Sequence, residues 1–153
     1  MQWTREDYVL TDERERIDAD AVHRLLRDTY WACKRSKKAV RLSIDNSLCF
    51  GLFHGGKQVG VARVLTDHAA NSYLCDVVIA PPYRSRGLGA WFMKSVLDHP
   101  VVRKTRVFLI TRDAQPFYRK LGFSPIRTSA WFERSRALEI PAVQIVLRQQ
   151  LDR

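Results

Sequence analysis

Val77-Val78-Ile79-Ala80-Pro81-Pro82-Tyr83-Arg84-Ser85-Arg86-Gly87-Leu88-Gly89-Ala90 runs from an apolar, β-branched stretch through a proline-marked turn into a helical pattern. The first turn of a helix leaves backbone N–H groups unpaired at the positive end of the helix dipole, an arrangement that holds phosphate or pyrophosphate. Gly87 and Gly89 keep side chains away from those amides, and Arg84 and Arg86 add positive charge beside them. A tight strand-to-helix turn that needs glycine for its backbone alone is the competing reading. Asp76 interrupts the apolar run just upstream. A carboxylate there is costly unless paired, so it marks either a proton-handling site or a structural hydrogen bond.

Other reactive side chains are less organised. Cys33, Cys49 and Cys75 form an odd set with no Cys-x-x-Cys pair, which excludes a disulfide framework or zinc knuckle as the first reading. No histidine stands at a spacing that would activate Cys75, and it reads as core. His23, His54, His68 and His99 lack metal-ligand spacing, so no metal is expected.

These residues need elements to carry them. Tyr8–Thr11 reads as a short strand. Asp18 is a candidate N-cap for a helix over about 19–29, where Ile17, Ala21, Val22, Leu25 and Leu26 recur at helical spacing. Ser36 caps a second helix carrying Val40 and Ile44, and the intervening Tyr30–Arg35 is aromatic and basic. Leu48–Phe53 and Gln58–Thr66 flank His54-Gly55-Gly56-Lys57 and read as a hairpin. Ser72–Ala80 is nearly continuous in apolar residues, the pattern of a strand buried on both faces at the sheet centre. A helix at about 87–98, a strand at Arg106–Thr111, a helix at Ala114–Leu121 with Gly122 at its C-cap, and strands at Phe123–Thr128 and Val143–Arg148 complete the order. The pattern is α/β, with a right-handed parallel crossover from Ser72–Ala80 to Arg106–Thr111.

The 153 residues, 46% of them hydrophobic, suffice for one compact domain over 1–153. Apolar runs fall short of a bilayer span and the charged start lacks a signal-peptide core, so a cytoplasmic protein without membrane attachment is expected. The formal net charge of +10 attracts polyanions, whether nucleic acid, anionic membrane or a phosphorylated cofactor. With no nucleic-acid-binding motif present, a solvated basic surface is the favoured reading over a nucleic-acid footprint.

Arg84-x-x-Gly87-x-Gly89 resembles the (Gln/Arg)-x-x-Gly-x-(Gly/Ala) signature of the GNAT (Gcn5-related N-acetyltransferase) family. The resemblance extends to Pro81–Arg84 and to a second block, Ala114-Gln115-Pro116-Phe117-Tyr118-Arg119-Lys120-Leu121-Gly122-Phe123, similar to Ala-x-x-(Phe/Leu)-Tyr-x-Lys-x-Gly-Phe. It implies a central mixed sheet of about six or seven strands flanked by about four helices, with a splayed parallel strand pair forming the cofactor cleft. It also implies transfer of an acetyl group from acetyl-CoA to a primary amine by direct attack in a ternary complex.

Residue by residue, the resemblance assigns the pyrophosphate to the Arg84-Ser85-Arg86-Gly87-Leu88-Gly89-Ala90 loop. The pantetheine arm goes to the strand at Val77, Val78 and Ile79, through the backbone of Val77 and Ile79. Tyr118 takes the position of the acid that meets the departing thiolate, a task its hydroxyl suits; an ordinary amphipathic helix residue is the alternative. Thr111 stands where the family often has asparagine. Asp76 and Glu133 are candidates for taking the amine's proton, and Trp31, Trp131 and Phe132 for an aromatic wall around the acceptor. A small molecule, a peptide N-terminus and a protein lysine all remain as acceptors, and homodimerisation is compatible with the resemblance. A coenzyme A-binding module without turnover and a basic nucleic-acid-binding domain are the alternative functions.

Overall fold

The structure, a computed structural model, describes residues 1–126. The chain divides into two compact units, 1–110 and 111–153. The first holds β1 (Gln2–Arg5), β2 (Tyr8–Thr11), α1 (Ala19–Arg27), α2 (Lys37–Asp45), β3 (Leu48–His54), β4 (Lys57–Thr66), β5 (Asn71–Ile79), α3 (Leu88–Leu97) and β6 (Arg106–Phe108). The described part of the second holds α4 (Gln115–Lys120).

Local chemistry sets the helix starts. Asp18 accepts from the Asp20 N–H at 2.8 Å and opens α1, and Ser36 Oγ accepts from the Ala39 N–H at 3.2 Å and opens α2. Both helices lie on one face of the sheet, where Val22, Leu26, Val40 and Ile44 pack against Cys49, Val61 and Val78. Leu26 and Val40 are each 1% exposed, and burial of such a side chain is worth roughly 1.5–3 kcal/mol. Phe50, one residue on from Cys49, points to the opposite face, where its ring meets those of His99 and Trp3.

The six strands follow sequence order, β1-β2-β3-β4-β5-β6; every pair is antiparallel except the parallel β5–β6 pair. This is the mixed α/β sheet expected. The strand expected at the sheet centre, Ser72–Ala80, is instead β5, next to last in the described sheet. The antiparallel run β1–β5 puts β3 and β4 in the middle, and β5 alternates buried and half-buried residues. Three further differences concern the ends. Gln2–Arg5 forms a strand that the sequence reading did not foresee, paired along its length with β2. The strand expected over Arg106–Thr111 stops at Phe108, and Phe123–Ile126 is not a strand. The strand expected over Val143–Arg148 lies outside the described residues. No helix among the described residues is long and apolar enough to cross a membrane.

Candidate functional site

β5 is paired on its outer side for only three residues: Asn71 with Arg106, Ser72 with Val107 and Tyr73 with Phe108. From Leu74 to Ile79 no strand among the described residues takes that edge. Beyond that pairing β5 is itself irregular. Opposite it, β4 advances two residues from Val61 to Arg63, while β5 advances three between their partners Val78 and Cys75. One extra residue is therefore accommodated as a bulge, and Asp76 in that interval has φ 51°, in the left-handed region. A bulge bends its strand and increases the local twist, here beyond the point where the β5–β6 pairing has ended. The Ala80 N–H donates to Val59 O at 2.8 Å, so by alternation Val77 and Ile79 direct their backbone groups to the unpaired side. One of these groups is already used: Arg84 Nε donates to Ile79 O at 2.7 Å.

The strand leads through a short 3-10 turn, Pro81–Tyr83, to α3. Ser85 has φ 62° and Gly87, the N-cap of α3, has φ 70°. The value at Gly87 is one that glycine adopts without penalty. Among the described residues no acceptor takes the N–H of Arg86, Gly87, Leu88, Gly89 or Ala90; the first helical bond runs from Trp91 N to Gly87 O. The loop's amides are thus open to an anion, as the sequence reading required, and Arg84, Ser85 and Arg86 are exposed around them. A third guanidinium, missed in the sequence, stands beside the loop. Arg5, at the end of β1, donates through Nη1 to Gly87 O at 3.2 Å, and its Nη atoms lie 3.5 and 3.6 Å from where a Cβ on Gly87 would project. Its nearest carboxylate is that of Glu6, 3.9 Å away and exposed.

Asp76, the candidate for either a proton-handling site or a structural hydrogen bond, is paired with two arginines. Its Oδ2 accepts from Arg35 Nη1 at 2.6 Å and from Arg63 Nε at 2.7 Å, and its side chain is 4% exposed. Neither arginine was foreseen as its partner. Burial pushes the neighbouring thiols up, Cys75 to about 12 and Cys49 to about 11, so both are protonated at neutral pH and neither is a nucleophile. In the loop between α1 and α2, Trp31 stacks edge-on with Tyr30 at 4.8 Å and packs against the core that α1 and α2 share. Its buried Nε1 has no acceptor among the described residues. Trp131, Phe132 and Glu133 lie outside the described residues.

In the second unit, α4 ends in a Schellman motif: Phe123 N donates to Tyr118 O and Gly122 N to Arg119 O, both at 3.1 Å, with Gly122 at φ 88°. The Tyr118 and Phe123 rings close the motif edge to face at 5.6 Å. Much of the Tyr-x-Lys-x-Gly-Phe spacing is therefore explained by how the helix stops. Thr111, in place of the often-found asparagine, accepts from Ala114 N at 3.0 Å through its hydroxyl.

A splayed strand edge leading into a helix whose first amides are open is a geometry that can hold an extended chain ending in a diphosphate. Comparison with known proteins agrees with that reading. The Acetyltransferase (GNAT) family model matches residues 5–123. A GNAT-family protein of Xanthomonas campestris pv. campestris superposes with a TM-score of 0.80 at 36% identity, over 84% of this chain and 93% of that one. The uncharacterized N-acetyltransferase ycf52 of Pyropia yezoensis is 30% identical over 71% of this chain and 69% of its own length. A Gibberella zeae protein named for the acetyltransferase class is 27% identical over 94% of this chain and 93% of its own. With the family model covering most of the sequence, and the sheet, its parallel pair and the glycine loop in place, the chain belongs to the GNAT family of acetyltransferases, which use acetyl-CoA as co-substrate.

Proposed function

We propose that this acetyltransferase moves an acetyl group from acetyl-CoA to a primary amine by direct attack in a ternary complex. One observation carries the reading: among the described residues, nothing pairs with the outer edge of β5 from Leu74 to Ile79, and that edge runs directly into a loop whose amides have no acceptor. The residues present fit the donor. Backbone groups of Val77, together with the Ile79 N–H, extend the sheet toward an amide-bearing arm, with Val78 anchored inward at 6% exposure. The amides from Arg86 to Ala90, flanked by Arg84, Ser85 and Arg86, take the diphosphate. When bound, acetyl-CoA supplies an activated thioester whose carbonyl the amine attacks. The chain holds that carbonyl beside backbone N–H donors, and Tyr118 is assigned to donate its hydroxyl proton toward the leaving sulfur. Because the Asp76 carboxylate is paired with two guanidiniums, the proton on the amine is assigned to Glu133 or to solvent. The acceptor is a small molecule or peptide bearing a primary amine, with Trp31 and Trp131 at its site, and the cytoplasm is the proposed setting.

Calorimetry with acetyl-CoA, followed by a screen of amines for coenzyme A release, tests the reading. Binding together with turnover that falls by about 10²-fold or more in Tyr118→Phe is the expected result. Absence of binding by folded protein defeats it. The pairing of Asp76, one of the candidate bases, with two arginines supports a second reading: a coenzyme A-binding module without turnover. Tight binding with no product across a broad amine panel would select it.

A further inference from the structure

The cluster of Arg35, Asp76 and Arg63 joins three parts of the chain. Asp76 sits in the bulge of β5, Arg63 on the neighbouring strand β4, and Arg35 at the end of the loop between α1 and α2. Both guanidiniums donate to the same oxygen, and their side chains are 23% exposed for Arg35 and 12% for Arg63. Arg63 has a further partner in Ser47 Oγ, at 3.0 Å through Nη1. The space beside the cluster is a cavity of about 10 Å³ walled by Val22, Leu26, Val40 and Ile44. That volume admits a water and no amine substrate. The carboxylate is thus held between two half-buried guanidiniums.

A non-glycine residue at φ 51° is also under backbone strain, which aspartate bears better than most side chains and which the surroundings must over-determine to persist. Two short charge-assisted hydrogen bonds provide that. We propose that Asp76 is a positioning residue that fastens the α1–α2 loop, through Arg35, to the bulged strand, so that the acceptor side and the donor strand are held in one register. The proposal rests on reading the free edge of β5 as the acetyl-CoA site. Asp76 does not exchange a proton with the amine. It keeps the bulge in its left-handed form, which aims the Val77 backbone outward, and holds the loop whose amides close on the chain itself, Cys33 N on Thr29 O at 3.1 Å and Arg35 N on Ala32 O at 2.9 Å.

Three substitutions separate the parts. Glycine adopts the bulge conformation freely but has no carboxylate. Asp76→Gly should therefore keep acetyl-CoA affinity within about threefold, while the Cys33 and Arg35 amides exchange with deuterium at least about tenfold faster. Arg35→Gln, which leaves the bulge untouched, should give the same faster exchange; it serves as the reporter if Asp76→Gly fails to fold. Asp76→Asn retains an acceptor oxygen and tolerance of the left-handed region, and should restore part of the protection. With an amine that wild type acetylates, Asp76→Gly should raise KM for the amine more than it lowers kcat and leave the pH profile unchanged. Unchanged loop exchange in both Asp76→Gly and Arg35→Gln overturns the proposal, as does loss of the acid limb of the kcat/KM profile in Asp76→Asn, which would make the carboxylate the base. Failure of the wild-type protein to bind acetyl-CoA would strike the functional reading instead, and the exchange measurement would still decide whether the fastening exists.

Discussion

Arg5, at the end of β1, reaches the loop that opens α3. Its bond to Gly87 O occupies part of one guanidinium nitrogen, leaving donors on a planar fork suited to phosphate oxygens. Arg5→Gln should weaken acetyl-CoA binding by about tenfold, since hydrogen bonds to charged groups contribute roughly 1.5–3 kcal/mol. Titration against S-acetylpantetheine, which lacks the diphosphate, should show little change; equal losses for both donors would mean that Arg5 only props the loop. Nothing in the sequence announces this contact, because Arg5 and Gly87 are brought together by strand pairing rather than by local pattern. The same holds for Asp76. A polar residue in an apolar strand is visible as an anomaly in the sequence, but its partners come from a loop and a neighbouring strand, and only the fold distinguishes a base from an anchor. Gly87, by contrast, was legible, because its requirement for a left-handed backbone is set within a few residues.

At the level of elements, what could be read was what neighbouring residues determine. Asp18 and Ser36 sit at the starts of α1 and α2 because a side-chain oxygen satisfies a helix amide two or three residues on, and that chemistry is local. β1 escaped notice because Gln2–Arg5 has little apolar alternation and owes its form to β2. The splay between β5 and β6 was expected from the family resemblance and not from any local pattern, since the length of a pairing depends on both strands. The loop leading into β5 has its own organiser. Asp67 Oδ1 accepts from the N–H groups of Asn71, Ala69 and Ala70 at 2.9, 3.0 and 2.8 Å, which lowers its pKa from 3.8 to about 2. A depressed carboxylate contributes stability above its unfolded pKa and loses it as pH falls through the folded value. Asp67→Ala should therefore melt lower than wild type at neutral pH, with the gap closing from about pH 4 down to about 2. A gap that stays constant over that window would show that the carboxylate's charge plays no part.

For the molecule as a whole, the thiols of Cys49, which is buried, and Cys75, which is half-buried, make alkaline conditions the place to look. Cys49 and Cys75 rise from 9.0 to about 11 and about 12 through burial. Above about pH 9 the unfolded chain releases these protons while the folded chain keeps them, so their contribution to stability is complete below pH 9 and drains away as pH climbs toward 11 and 12. Melting curves between about pH 8 and about pH 10.5 should fall less steeply for Cys75→Ala than for wild type; identical slopes would contradict the burial described for this side chain.

The bulge in β5 has a last effect, on how copies of the protein treat each other. A straight, β-branched run with exposed backbone groups is a template onto which a stranger chain can zip, the first step toward aggregation. A left-handed kink in the middle of that run breaks the template into short pieces too irregular to pair with a flat strand. The distortion at Asp76 thus makes this edge of β5 a poor template for a neighbouring molecule's strand.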